Sequence, residues 1–112
     1  PNNDEMQFAA TINDWYAFEI KPNQANNMTD FYISWNANVE LGFYLFTAPD
    51  NEDYGFRYLG ESQDWASYEY ANHARFFSGS YAPGKYLLGV KQTGYSEHAV
   101  PYGIMSYSAL QN

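Results

Sequence analysis

The sequence predicts an all-β fold, an antiparallel sandwich or barrel of about eight short strands, and three observations carry that prediction. Aromatic residues make up 21% of the 112 residues, with 12 Tyr, 8 Phe and 3 Trp. They recur with a period of two, the spacing that sends alternate side chains to opposite faces of a strand. The alternating segments are short and bounded by Gly, Pro, Asn and Asp, which supply turn geometry. No apolar period of 3.6 persists over ten or more residues, so no helix is expected.

In chain order, residues 7–12 predict a short first strand, closed by an Asn13-Asp14 turn. Next, Tyr16, Phe18 and Ile20 share one face and Trp15, Ala17 and Glu19 the other. The polar stretch at 22–27 is a turn-rich connection. Phe31, Ile33 and Trp35 then alternate with Tyr32, Ser34 and Asn36 in a strong strand that ends at Asn36-Ala37-Asn38. Leu41, Phe43 and Leu45 alternate with Gly42, Tyr44 and Phe46, a segment apolar on both faces that is expected to be central or to line a site. The acidic run Asp50-Asn51-Glu52-Asp53 is expected as a solvated loop, with calcium binding as the sharper alternative.

Phe56, Tyr58, Trp65, Tyr68 and Tyr70 decorate a middle region of weaker periodicity, consistent with short or edge strands. Residues 74–78 predict another strand, and Tyr81-Ala82-Pro83-Gly84 a turn leading into a strand over 85–90. A polar hairpin loop spans 92–98, and residues 100–108 return as the last strand. The core is expected to comprise Tyr16, Phe18, Phe31, Ile33, Trp35, Phe43, Leu45, Tyr86, Leu88, Val90, Tyr102 and Ile104.

Composition narrows the partners. Thirteen acids against five bases give a formal charge of −8. That balance argues against nucleic acid and anionic membranes, because phosphate binding depends on Lys and Arg displacing counterions. The absence of cysteine excludes disulfides, Cys-ligated zinc and thiol catalysis. No apolar run approaches the roughly 20 residues of a membrane span, so membrane insertion is not expected. The polar, acidic start at residues 1–5 is unlike a signal peptide. The expectation is one domain, residues 1–112, excised from a larger protein.

Motifs in order resemble the bacterial pre-peptidase C-terminal domain, found at the ends of secreted proteases and other exoenzymes. Pro1-Asn2-Asn3-Asp4 is similar to that family's opening, and Asp14-Trp15-Tyr16-Ala17-Phe18 to its Asp-Trp-Tyr-x-Phe strand. Glu40-Leu41-Gly42-Phe43-Tyr44-Leu45 approximates its Leu-Tyr-Leu strand, although the family often has Asp where Gly42 stands. The segment from Pro83-Gly84-Lys85-Tyr86 to Val90 and the closing Pro101-Tyr102-Gly103-Ile104 complete the likeness. The resemblance implies a jelly-roll-like sandwich, a secreted or cell-surface location, and calcium as the only cofactor to consider. It points to Asn3, Asp4 and Asp14 as the metal ligands, since Ca²⁺ prefers carboxylate and carbonyl oxygens.

No catalytic residues are predicted. His73 and His98 form no close ligand pair, the serines lack a Gly-x-Ser-x-Gly elbow, and acids such as Glu61, Asp64, Glu69 and Glu97 read as ordinary surface carboxylates. Tyr and Trp are the better candidates, because they offer flat apolar faces with polar edges at low entropic cost. Trp15, Tyr32, Tyr44 and Phe46 share the outward register and are the predicted ligand-binding residues. The expected function is a non-catalytic accessory domain of an exoenzyme, a protease by the resemblance, aiding substrate or surface binding or maturation. Its partner would be an extracellular polymer, either protein fibre or polysaccharide, or a neighbouring domain of the same chain. A carbohydrate-binding module and a structural spacer of an adhesin are the alternatives.

Overall fold

The computed structural model describes residues 3–20, 28–48 and 57–109. A short helix, α1 (Asn3–Ala9), precedes the strands β1 (Asp14–Ile20), β2 (Met28–Trp35), β3 (Glu40–Thr47), β4 (Arg57–Glu61), β5 (Gln63–Asp64), β6 (His73–Ser80), β7 (Gly84–Thr93) and β8 (Tyr102–Ala109). They build two four-stranded antiparallel sheets, one in the order β1-β7-β3-β4 and the other β5-β6-β2-β8. This strand order establishes the all-β sandwich and leaves the jelly-roll winding unconfirmed. The expected turn at 22–27 and the acidic loop at 50–53, with its calcium reading, lie outside the described residues.

The inner faces follow the period-two pattern. Phe31, Ile33 and Trp35 of β2 meet Leu41, Phe43 and Leu45 of β3 and Tyr86, Leu88 and Val90 of β7 in one cluster, joined by Ile20 and Phe77. Rings bridge the two sheets: Phe18 packs on Phe31 at 4.8 Å and Trp35 on Phe43 at 5.8 Å, tilted arrangements that aromatic pairs favour. Two polar groups of the core find backbone carbonyls close by in the chain. Trp35 Nε1 donates to the Val39 carbonyl at 2.8 Å, and Tyr86 donates its hydroxyl proton to the Ala82 carbonyl. Tyr16 departs from the expected core. It lies on the edge strand β1, 43% exposed, and meets Tyr102 hydroxyl to hydroxyl at 2.6 Å.

The chain changes sheet at Ser62, the single residue between β4 and β5. Its amide donates to the Phe43 carbonyl at 2.9 Å, holding the corner to the first sheet. Arg75 of β6 stands in the inward register opposite Ile33 and donates from Nε to Ser62 Oγ and from a terminal nitrogen to Ser62 O, both at 2.6 Å. A charged side chain thus ties the corner to the second sheet.

The largest departure from the sequence expectation is α1. Residues 7–12 do not form a strand. The helix carries Asp4 and Glu5 in its first turn, where carboxylates suit the macrodipole. Seven residues are too few to be stable alone, so docking must hold them. Phe8 supplies it, lying against Tyr44 at 4.8 Å, Tyr58 at 5.4 Å and Phe46 at 6.0 Å on the outer face of the first sheet. Glu5 accepts from the Tyr58 amide at 2.6 Å and from Arg57 Nε at 3.3 Å. After the helix, Ile12 and Trp15 close over Gly89, where a Cβ would lie 3.1 Å from each side chain.

Phe46 is therefore not an outward ligand-binding ring. It has the outward register, but Phe8, Trp15 and Tyr58 surround it and its exposure is 0%. Phe46→Ala is expected to cost about 3–5 kcal/mol in urea unfolding, the scale of a core cavity and not of a surface position. A loss below about 0.5 kcal/mol would show that the helix does not cover this ring in solution.

Candidate functional site

The four predicted ligand-binding rings do not share a surface. Trp15, Tyr44 and Phe46 belong to the outer face of the first sheet, beside α1, whereas Tyr32 belongs to the outer face of the second sheet on the opposite side of the sandwich. Trp15 is 39% exposed but meets Phe46 edge-on at 5.2 Å. Tyr44 is half-buried under Phe8, and its hydroxyl lies over Gly42, where a Cβ would come within 2.6 Å. The glycine at that position gives the Tyr44 ring room to lie along the sheet.

Tyr32 leads to a different site. Across the outer face of the second sheet, Ser34 pairs with Ala74 on one side and Gly103 on the other, so three small residues lie side by side. One step along the strands, Tyr32 pairs with Phe76 and Met105, a row of large residues. Small beside large makes a trough across the strands. The segment after β5 forms its other wall. The Trp65 amide donates to the Ala74 carbonyl at 2.9 Å, and the Tyr68 amide to the Trp65 carbonyl at 3.3 Å, so Trp65 and Tyr68 turn back over Ala74.

The resulting hollow measures about 450 Å³ and is lined by Tyr32, Ile33, Ser34, Trp65, Tyr68, Ala74, Gly103 and Met105. Its rings touch but are not coplanar: Tyr32 and Trp65 are inclined by 52° at 5.4 Å, and Trp65 and Tyr68 by 43° at 4.6 Å. Tyr70 extends the cluster, 68° from Tyr68 and 77% exposed, and Met105 is 65% exposed on the opposite rim. Tyr32 is oriented by its own strand, donating its hydroxyl proton to Asp30 Oδ2 at 3.0 Å. Apart from the two tyrosine hydroxyls, Ser34 is the one hydroxyl-bearing residue in the lining.

Sequence reasoning found Tyr32 and missed its partners. Trp65 and Tyr68 sit in a stretch without period, and the row of Gly103, Ser34 and Ala74 exists only through strand pairing between residues far apart in the chain.

The predicted metal ligands are dispersed. Asp4, on α1, lines a hollow with Glu5 and Glu61, whereas Asp14, at the start of β1, lines another with Asn13, Gln92 and Tyr102. Asn3 begins the helix, and its side chain lies outside the described residues. Asp14 Oδ2 accepts from the Tyr102 hydroxyl at 3.2 Å. Among the described residues, no group of three or more His, Asp or Glu side chains could hold a metal ion. Asp4 and Asp14 thus line different hollows and are not brought together. His73 stacks on Trp35 at 5.0 Å, and the His98 carbonyl accepts from Ser96 Oγ at 2.7 Å.

No protein-family model, curated protein or solved structure matches this chain.

Buried phenols set a limit at high pH. Burial, then the bond to Tyr16 and the charge of Asp14, pushes the Tyr102 hydroxyl far above its ordinary value. Burial also raises Tyr81 and Tyr86. An unfolded phenol ionises near pH 10. The folded chain keeps these protons longer, so the stability they contribute is complete below about pH 10 and is lost as pH rises through the folded values. Chemical denaturation is expected to show stability falling above about pH 10. Tyr16→Phe is expected to bring the phenolate absorbance of Tyr102 in at lower pH, and an unchanged titration would show that the Tyr16 bond does not form.

Proposed function

We propose that this chain is a non-catalytic binding module that takes an extended polypeptide segment, part of a fibrous or surface protein, in the trough between Trp65 and Met105. The observation that carries this reading is the trough itself: a row of small residues flanked by inclined rings, apolar along most of its length. Sugar platforms use coplanar rings and many hydrogen-bonding groups, whereas this lining has few polar atoms and rings tilted by 43° and 52°. Inclined aromatic walls suit apolar or proline side chains, which enter such grooves with little entropy left to lose.

The likeness to the pre-peptidase C-terminal family supports the same reading, with the module serving a secreted exoenzyme, a protease by preference, through substrate engagement. The formal charge of −8 accords with a partner other than nucleic acid. In this reading, the acids of the chain act as surface charge and not as general acids or bases.

Two variants test the trough from opposite directions. A Cβ at Gly103 meets nothing within 4 Å, so Gly103→Leu is expected to fill the trough without lowering the melting temperature. Trp65→Ala removes a wall. Each is expected to weaken retention on proline-rich peptide or fibrous protein by about tenfold or more. Retention unaffected by either variant would end this proposal. Retention on chitin or cellulose that both variants abolish would instead establish the polysaccharide reading.

A further inference from the structure

A second hollow lies on the opposite face of the sandwich, where α1 meets β3 and β4. It measures about 410 Å³ and is lined by Asp4, Glu5, Phe8, Tyr44, Tyr58 and Glu61, three rings and three carboxylates with no basic side chain among them. Its construction begins with an irregularity. Tyr44 pairs with Glu61 and Leu45 with Gly60, but Phe46 pairs with Tyr58, so β4 carries one extra residue, Leu59. Such a bulge re-aims side chains, and here it turns both Tyr58 and Glu61 to the outer face on either side of the irregularity. The helix then adds Phe8 from above.

The rings meet at steep angles. Phe8 stands 88° from Tyr44 at 4.8 Å and 74° from Tyr58 at 5.4 Å, and the two tyrosines are inclined by 49° at 6.4 Å. Rings in three planes form a corner whose faces present negative π density to anything seated there. Glu5 is engaged already, by the Tyr58 amide and by Arg57. Asp4 and Glu61 are exposed at the rim. After burial, the charge of Glu61 is the next cause raising both the Tyr44 and the Tyr58 hydroxyls, as expected for a carboxylate facing these rings. The chain itself places a cation on this cluster, since Lys91 Nζ lies 5.6 Å from the centre of the Phe8 ring.

We propose that this hollow binds an organic cation, the side-chain ammonium of a lysine presented by a basic peptide, with the Tyr44 and Tyr58 rings as its walls and Glu61 as its counter-charge. A metal ion suits the site poorly. Ca²⁺ takes six to eight oxygens, whereas three of the six lining residues are rings and Glu5 is committed elsewhere. A lysine side chain suits it better, because its ammonium gains from the ring faces and the carboxylates together while its methylene stem packs on apolar ring surface. The site is separate from the Trp65 trough and does not depend on it.

The test is a nuclear magnetic resonance titration of the intact chain with two short peptides, acetylated and amidated so that the side chain is the one variable: one carries Lys, the other norleucine. The Lys peptide is expected to give saturable shifts at Tyr44, Tyr58 and Glu61, and the norleucine peptide none. Glu61→Gln is expected to weaken the Lys peptide by about three- to tenfold at unchanged melting temperature, and added salt to weaken it further. Tyr58→Leu, which keeps apolar bulk but removes the ring, is expected to do the same, while Trp65→Ala leaves the titration unaltered. Equal binding of both peptides, no shift at either tyrosine, or calcium chloride alone saturating these resonances would overturn the proposal.

Discussion

Phe8 lies across Phe46, Tyr44 and Tyr58, and much of the molecule follows from that contact. Strand β3 is apolar on both faces, yet in a two-sheet sandwich one face of every strand looks outward. Leaving Phe46 in water would forfeit roughly 1.5–3 kcal/mol of burial and expose an apolar strip prone to association. A helix of seven residues, unable to stand alone, removes the strip and is itself held by covering it. The fit leaves little slack: Gly89 lets Ile12 and Trp15 approach the sheet, and Gly42 lets Tyr44 lie along it. A side chain larger than hydrogen at Gly89 would lift the connection between helix and first strand.

Covering one side determines what the other can do. Among the described residues no helix lies over the second sheet, and the chain reaches that face by turning at Ser62. The corner is held in both directions, by the Phe43 carbonyl on one sheet and by the Arg75 guanidinium from the other. The Arg75 guanidinium is accommodated in the inward register because the corner offers it both a hydroxyl and a carbonyl. Past the corner, β5 lasts only two residues before Trp65 bonds to Ala74 and the segment folds back over the sheet. The trough is a by-product of that short strand: a longer β5 would carry Trp65 along the sheet edge instead of over its small-residue row.

How much of this was legible in the sequence depends on the range of the interaction. Period-two alternation identified β2, β3 and β7 and the inward set Phe31, Ile33, Trp35, Phe43, Leu45, Tyr86, Leu88 and Val90, because strand faces are a local property. The same rule misread residues 7–12. Phe8, Ala10 and Ile12 alternate as a strand would, and Phe8 and Ile12 also stand four apart as on a helix; over six residues the two patterns do not separate, and the docking partner decides. Register gave the outward direction of Trp15, Tyr32, Tyr44 and Phe46 correctly. It could not say which sheet each strand joins, and so it merged rings from opposite sides of the molecule into one patch. Tyr16 failed for a related reason: the inward register of an edge strand does not guarantee cover.

The exposure of a ring and its availability prove to be different quantities. Trp15 is 39% exposed, but its contact with Phe46 and its closeness to Gly89 make it part of the cover over the first sheet. Trp65 is half-buried, yet it borders open volume above Gly103 and Ser34. A ligand gains from a ring only where apolar surface is still wet and space beside it is empty, so the neighbours of a ring decide its role more than its own accessibility does. By that criterion, the aromatic excess of this chain divides three ways. One set fills the core between the sheets, a second seals the outer face of the first sheet with α1, and a third, at the helix rim and around Trp65, borders space that a partner can occupy.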